Sequence, residues 1–137
     1  MAYIIPNTGD KHIMSAAFQA SGTMSLFLFS NDATLTATMV DSDCTKLSAG
    51  GYAAKSILAS AWCVPYLSAG SAEVSASGNA SNGGFQFAFT GAPNQSAYGY
   101  GISNADTKLI VCEKFASVYY LANAGDTITI TPKIRAT

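Results

Sequence analysis

Asn123–Ile134 reads NAGDTITITPKI. A turn on Gly125 and Asp126 opens onto strict alternation. Ile128, Ile130, Pro132 and Ile134 fall on one side, and Thr127, Thr129, Thr131 and Lys133 on the other. A period of two is the signature of a half-buried β-strand, one face in a core and one in water. The polar face offers threonine and one lysine, with no carboxylate, imidazole or thiol for chemistry. The rest of the chain has the same character: many β signals and few reactive groups.

Phe85, Phe87 and Phe89 alternate with Gln86, Ala88 and Thr90, and three rings on one strand face predict a core anchor. Tyr98, Tyr100 and Ile102 alternate with Gly99 and Gly101, glycines that read as room for close backbone or aromatic packing across a sheet. Leu109, Val111, Glu113 and Phe115 continue as a further strand. Met24–Ser30, MSLFLFS, is apolar on both faces, as in a central strand covered on two sides. Gly50–Gly51 reads as a turn or bulge before a strand carrying Ile57, Trp62 and Val64 that Pro65 closes. A short strand is predicted around Glu73 to Ser77, and Asn82–Gly83–Gly84 is a turn signal. The stretch from Leu35 to Met39 is weakly strand-like within an otherwise polar segment.

Residues 8 to 19 are the helix candidate, with Thr8 as cap, Asp10 in the first turn and Ile13, Met14, Ala17 and Phe18 as an inward stripe. An irregular arm is the alternative, because Pro6 keeps AYIIP extended. The expected architecture is an all-β antiparallel sandwich or barrel, jelly-roll-like or Ig-like, of seven or eight short strands. It forms one domain over 1–137, with 1–22 as an N-terminal arm or helix.

At 137 residues a single chain buries roughly 68% of its unfolded surface and needs no disulfide or metal to fold. Charged residues are 11% of the chain, against about 25% in an average soluble protein. A surface of Ser, Thr, Asn and Gly suits coverage by neighbouring subunits, since charge is depleted at interface cores; a plain Ser/Thr-rich β-protein is the alternative. The seven basic residues are scattered and the net charge is −1, which argues against nucleic-acid binding. No apolar run reaches the roughly 18 residues that span a bilayer. MAYIIPNTGDK lacks the basic-then-apolar order of a secretory signal, so synthesis and assembly in a cytoplasm are expected.

Chemistry is sparse. His12 is the single histidine and reads as a surface helix residue, leaving a nucleophile without a base. Cys44, Cys63 and Cys112 are an odd number with no CxxC spacing. Cys63 and Cys112 read as small buried hydrophobes and Cys44 as a free thiol in a polar loop. Asp41 and Asp43 read as a solvated loop rather than a calcium site, which needs six to eight arranged oxygens. Glu113, amid an apolar strand, is explained by a lysine partner (Lys114, Lys133 or Lys55) or by exposure at an edge. Tyr98, Tyr100, Tyr119, Tyr120 and Trp62 form either a core with polar tips at the rim or a sugar-stacking platform.

Taken in order, IPNTGDK, SLFLFSND, GGYAAKSI followed by Trp62, FQFAFTG, YGYGI, VCEKF and NAGDTITITPKI resemble a family of small virion structural proteins of tailed bacteriophages. The resemblance runs from Ile5 to Ile134 and is weakest over 32–43 and 66–82. It implies a non-enzymatic capsid decoration, or cement, protein on the head surface. Its partners would be the major capsid protein of the same virion and copies of itself, such as a trimer, with no nucleic acid, membrane or cofactor. Candidate interface residues are Tyr3, Ile4, Ile5 and Pro6 in the arm and Thr127, Thr129 and Thr131 on the closing strand. A receptor- or glycan-binding module of a tail or head fibre, and a tail tube or connector subunit, are the alternative expectations.

Overall fold

The strand β1, Met24–Phe29, carries large apolar side chains at alternate positions on both faces, so it needs cover on both sides. The computed structural model, which describes residues 7–19, 22–78, 80, 83–105 and 107–136, supplies it. β1 lies inside a four-stranded antiparallel sheet. On one side it pairs with β2, Lys55–Ile57, and on the other with β6, Gln95–Ser103, which in turn pairs with β7, Leu109–Leu121. Two smaller antiparallel sheets face it. One has the order β3–β4–β9 (Tyr66–Ser68, Ser71–Ser75, Lys133–Arg135), and the other pairs β5, Phe85–Ala88, with β8, Thr127–Ile130. The fold is mainly β and sandwich-like, not a closed barrel. The described residues hold nine strands, more than the seven or eight the sequence predicts.

The two faces of β1 enter two cores. Leu26 and Leu28 join Tyr100, Ile102, Trp62, Val74, Phe87, Phe89 and Ile130 in the main core between the sheets. Phe27 and Phe29 point the other way, onto Ala33 and Cys44, with Met39 and Cys112 packed around them. The segment 31–47 therefore forms a lid over the outer face of the large sheet. The predicted role of Gly99 and Gly101 holds: they sit opposite Phe29 and Phe27. A Cβ at Gly101 would stand 2.4 Å from the Phe27 ring, and one at Gly99 2.5 Å from the Phe29 ring. Absent side chains on β6 make the space that the β1 rings fill.

Three expected elements take a different form. The closing stretch is two strands rather than one, because it changes sheets at Thr131–Pro132: Thr127–Ile130 pairs with β5 and Lys133–Arg135 with β4. Pro132 has no N–H to give a ladder and so marks the corner, while its carbonyl accepts from Ala76 N–H at 3.1 Å. The strand expected after Gly50–Gly51 starts only at Lys55, because the edge of β1 beyond Leu26 is already taken by Leu47 N–H and the bridge to Lys46, and it stops at Ile57, opposite Met24, where β1 itself begins. Ala59–Ala61 is a 3₁₀ turn, Trp62 makes an isolated bridge to Ala76, and Val64 is exposed. The Gly50–Gly51 turn itself is present, both residues having positive φ.

The helix α1, Asn7–Met14, passes into a π-helical turn, Ser15–Gln19. Met14 and Phe18 are buried and Ala17 packs against them, but Ile13 points outward, 55% exposed. The i→i+5 turn after Met14 is wider than the α-helical spacing behind the predicted stripe. The cap at Thr8 and the first-turn Asp10 have side chains outside the described residues, as does Asn82 of the predicted turn.

Candidate functional site

Of the predicted interface residues, Tyr3, Ile4, Ile5 and Pro6 lie outside the described residues. Thr127, Thr129 and Thr131 are exposed, beside the exposed Gln86 and Ala88 of the paired strand. Gly84 runs against them closely enough that a Cβ there would meet Thr129 Cγ2 at 2.6 Å. The result is a small, flat polar surface.

A second exposed surface, richer in large apolar side chains, lies on β7, the edge strand of the large sheet. Its side chains mostly face outward, with Val118, Tyr119 and Tyr120 at 50%, 51% and 63% exposed. The cause is in the register. Ala97 pairs with Tyr119 but Gly99 with Lys114, so Phe115–Val118 on β7 stand opposite the single residue Tyr98 on β6. The excess bulges the edge, which blunts end-to-end strand addition and turns side chains outward. Tyr119 is propped edge-on against Phe115, ring centroids 5.2 Å apart. Further along β7, Leu35, Met39, Ile110 and Cys112 line an open groove of about 260 Å³ between the strand and the lid.

The aromatic set predicted from the sequence is thus split. Trp62 and Tyr100 are buried, Trp62 against Phe18 at 4.6 Å. Tyr119 and Tyr120 are exposed neighbours on opposite sides of the strand, so the five rings make no common platform. His12 is exposed on α1, as expected, beside an open pocket of about 240 Å³ that includes Val64 and Pro65.

The ionisable groups are tied into the fold. Glu113 is exposed at the edge, as one reading of the sequence had it. Its partner is not a lysine but Tyr100, whose hydroxyl donates to Glu113 Oε2 at 2.5 Å. Burial and that carboxylate both push the Tyr100 phenol far up. Lys114 pairs with Asp32 instead. Asp41 departs from the solvated-loop expectation, whereas Asp43 is exposed as that reading has it. Asp41 is half-buried, accepts from Ser103 and pairs with Lys46 at 2.8 Å. Burial works against its ionisation, but the hydrogen bonds from Lys46 and Ser103 outweigh it and hold the carboxyl below its ordinary range. Asp43 accepts from Val40 N–H at 2.9 Å. Asp41 thereby pins the lid to β6, and Asp43 closes a turn within the lid.

Sequence reasoning missed Glu73. It sits at the centre of β4 with 1% exposure, directly opposite Tyr66 on β3 and Arg135 on β9. Arg135 donates Nε and Nη2 to Oε2, Lys133 reaches Oε1 at 3.1 Å, and the Tyr66 hydroxyl donates to Oε1 at 2.9 Å. Burial would raise the carboxyl, but these donors prevail and hold it at about 2. The available signal was the K-x-R spacing of Lys133 and Arg135, which places two cations on one strand face. The row joins three strands through one charge, a structural clasp.

The cysteines are all free thiols, Cys44 as the sequence reading has it, but their burial follows a different order. Cys44 is the most buried of the three, and its Sγ lies 3.9 Å from that of Cys112. Cys63 is half-buried and faces Ser75. Among the described residues no three His, Cys, Asp or Glu come together as a metal cage, and no helix is long and apolar enough to cross a membrane.

Set against family models, curated proteins and solved structures, the chain matches none.

Proposed function

We propose that this chain is a structural protein of a tailed-phage virion, a capsid decoration protein that binds the outer surface of the head and spans neighbouring capsomers. The observation that carries this reading is the exposed edge strand β7. Val118 and Tyr120 stand exposed on one side of it and Tyr119 on the other, on a protein with only 11% charged residues. Tyrosine is enriched and charge depleted at interface cores. Covering the exposed half of Val118 alone contributes about 1 kcal/mol before association entropy is subtracted. Many identical modest contacts repeated over one shell add through multivalency. The bulge at Phe115–Val118 favours docking by side chains over open-ended strand addition, which suits a closed cluster such as a trimer at a local three-fold position. The resemblance carried by GGYAAK, FQFAFTG, YGYGI and the closing stretch points the same way.

The test is to add purified protein to shells lacking it. Saturable binding with a raised disruption temperature is expected; no binding, or electron cryomicroscopy density for this chain in the tail alone, overturns the reading. The exposure of Tyr119 and Tyr120 also favours a second reading, a glycan-binding module of a fibre. Binding to immobilised host polysaccharide that Tyr119→Ala and Tyr120→Ala abolish, with no binding to shells, would replace the first reading with the second.

A further inference from the structure

Cys44 and Cys112 come from distant parts of the sequence, 68 residues apart, and meet beneath the lid with their sulfurs 3.9 Å from each other. We propose that they are a modification site: a small-molecule disulfide such as oxidised glutathione converts them to an intramolecular disulfide that staples the lid, residues 31–47, to β7.

The positions are fixed before any reaction occurs. Cys44 follows the 3₁₀ turn Asp41–Asp43 and is buried against Phe27 and Phe29. The lid is held by Asn31, which donates to Asp43 O at 2.9 Å and accepts from Thr45 N–H at 2.8 Å. Asp41 ties it to Ser103 on β6, and Asp32 ties it to Lys114 on β7. Cys112 is fixed by its pairing with Gly101. Closing the gap from 3.9 Å to the roughly 2.05 Å of a disulfide asks for side-chain rotation and a small shift of the lid. The partner choice is unique, because Cys63 faces Ser75 in another sheet. An odd cysteine count thus resolves into one pair and one single thiol.

The chemistry balances as two exchanges. Cys112, the less buried thiol, loses its proton to solvent and attacks oxidised glutathione, forming a mixed disulfide and releasing one glutathione thiolate, which takes up a proton. Cys44, likewise deprotonated, then attacks the Cys112 sulfur and expels the second glutathione. Two protein thiols are oxidised and one glutathione disulfide is reduced to two thiols. Burial pushes both thiols up, Cys112 to about 12, so thiolate is scarce and the exchange is slow near neutral pH. A pair of this kind stays reduced during synthesis in a reducing cytoplasm and closes on long exposure to an oxidising medium. Cys112 lines the groove between lid and β7, so closure fixes the two walls of that groove to each other.

The experiment uses the purified full chain, incubated for days with oxidised or reduced glutathione. Intact mass should fall by two hydrogen atoms only with the oxidant, and a non-reducing digest should contain the Cys44 and Cys112 peptides linked. Tm should rise by about 10 °C, as expected for a bond closing a loop of this length. Cys63→Ala should keep the rise, and Cys44→Ala and Cys112→Ala should lose it. The peptide map of the unmutated chain decides the matter if either variant fails to fold. Cross-links through Cys63, glutathione retained on Cys112 without closure, or both thiols still free to alkylation in denaturant would each overturn the proposal. None of these readouts depends on binding to a shell.

Discussion

β1 and β7 belong to one sheet and are both rich in apolar residues, yet five of the six residues in β1 are buried while one of the thirteen in β7 is. Composition does not separate them; position does. β1 has a strand on each side, the sandwich core below and the lid above. β7 has β6 on one side and, among the described residues, no strand on the other, and beside its bulge Val118, Tyr119 and Tyr120 are exposed. Glu73 completes the contrast. It is a charged residue as deeply buried as Phe27, because it occupies the middle strand of its own sheet and has three donors around it. In this fold the centre or edge of a sheet decides burial before hydrophobicity does.

Substitutions at the centre of the large sheet should cost the most stability. Phe27→Ala empties the outer core under the lid and should cost about 3–5 kcal/mol of unfolding free energy in a urea titration. Gly101→Ala acts on the same contact from the opposite strand. Its Cβ would meet the Phe27 ring at 2.4 Å, and a loss of about 1–3 kcal/mol is expected. Combined with Phe27→Leu the losses should fall short of additive, which a double-mutant cycle measures.

The buried carboxylate gives a milder, pH-dependent effect. The Glu73 carboxyl sits at about 2 in the folded protein, below the roughly 4.3 of an unfolded chain. Its contribution is therefore complete above about pH 5 and is lost as pH falls through 4.3 towards 2. Thermal melts between pH 6 and 2.5 should show that decline, and Glu73→Gln should flatten the part due to this group. At the edge, Tyr120→Ser should change stability by no more than about 0.5 kcal/mol. The same variant should weaken attachment to shells several-fold, a split between folding and binding that sharpens the contrast with Phe27.

Much of the centre was legible in the sequence, because alternation reports faces directly. MSLFLFS announced cover on both sides, FQFAF a core anchor, and YGYGI the space that Phe27 and Phe29 fill. What stayed hidden depends on which distant segment lies alongside. The corner at Pro132 follows from two different partners, β5 and β4, for one alternating run. The β3–β4 hairpin turns on Ala69 and Gly70, both at positive φ, and alanine gives no warning of that. Glu73 looked like an ordinary strand carboxylate until Tyr66 and Arg135 were placed beside it. Cys44 read as a thiol in a polar loop because its neighbours in sequence are polar, whereas its neighbours in space are phenylalanines. The edge character of β7 was the least readable, since an apolar edge and an apolar interior strand are written with the same residues.

The clasp around Glu73 also sets an order of events during synthesis. Its arginine partner lies 62 residues further along the chain, which at about 5–20 residues per second arrives roughly 3–12 s later. Until then the carboxylate lacks both cations of its clasp, and burying it unpaired carries the cost of an uncompensated charge. The three-stranded sheet is complete only once Lys133 and Arg135 have emerged, and a product cut short before them lacks both cations for Glu73.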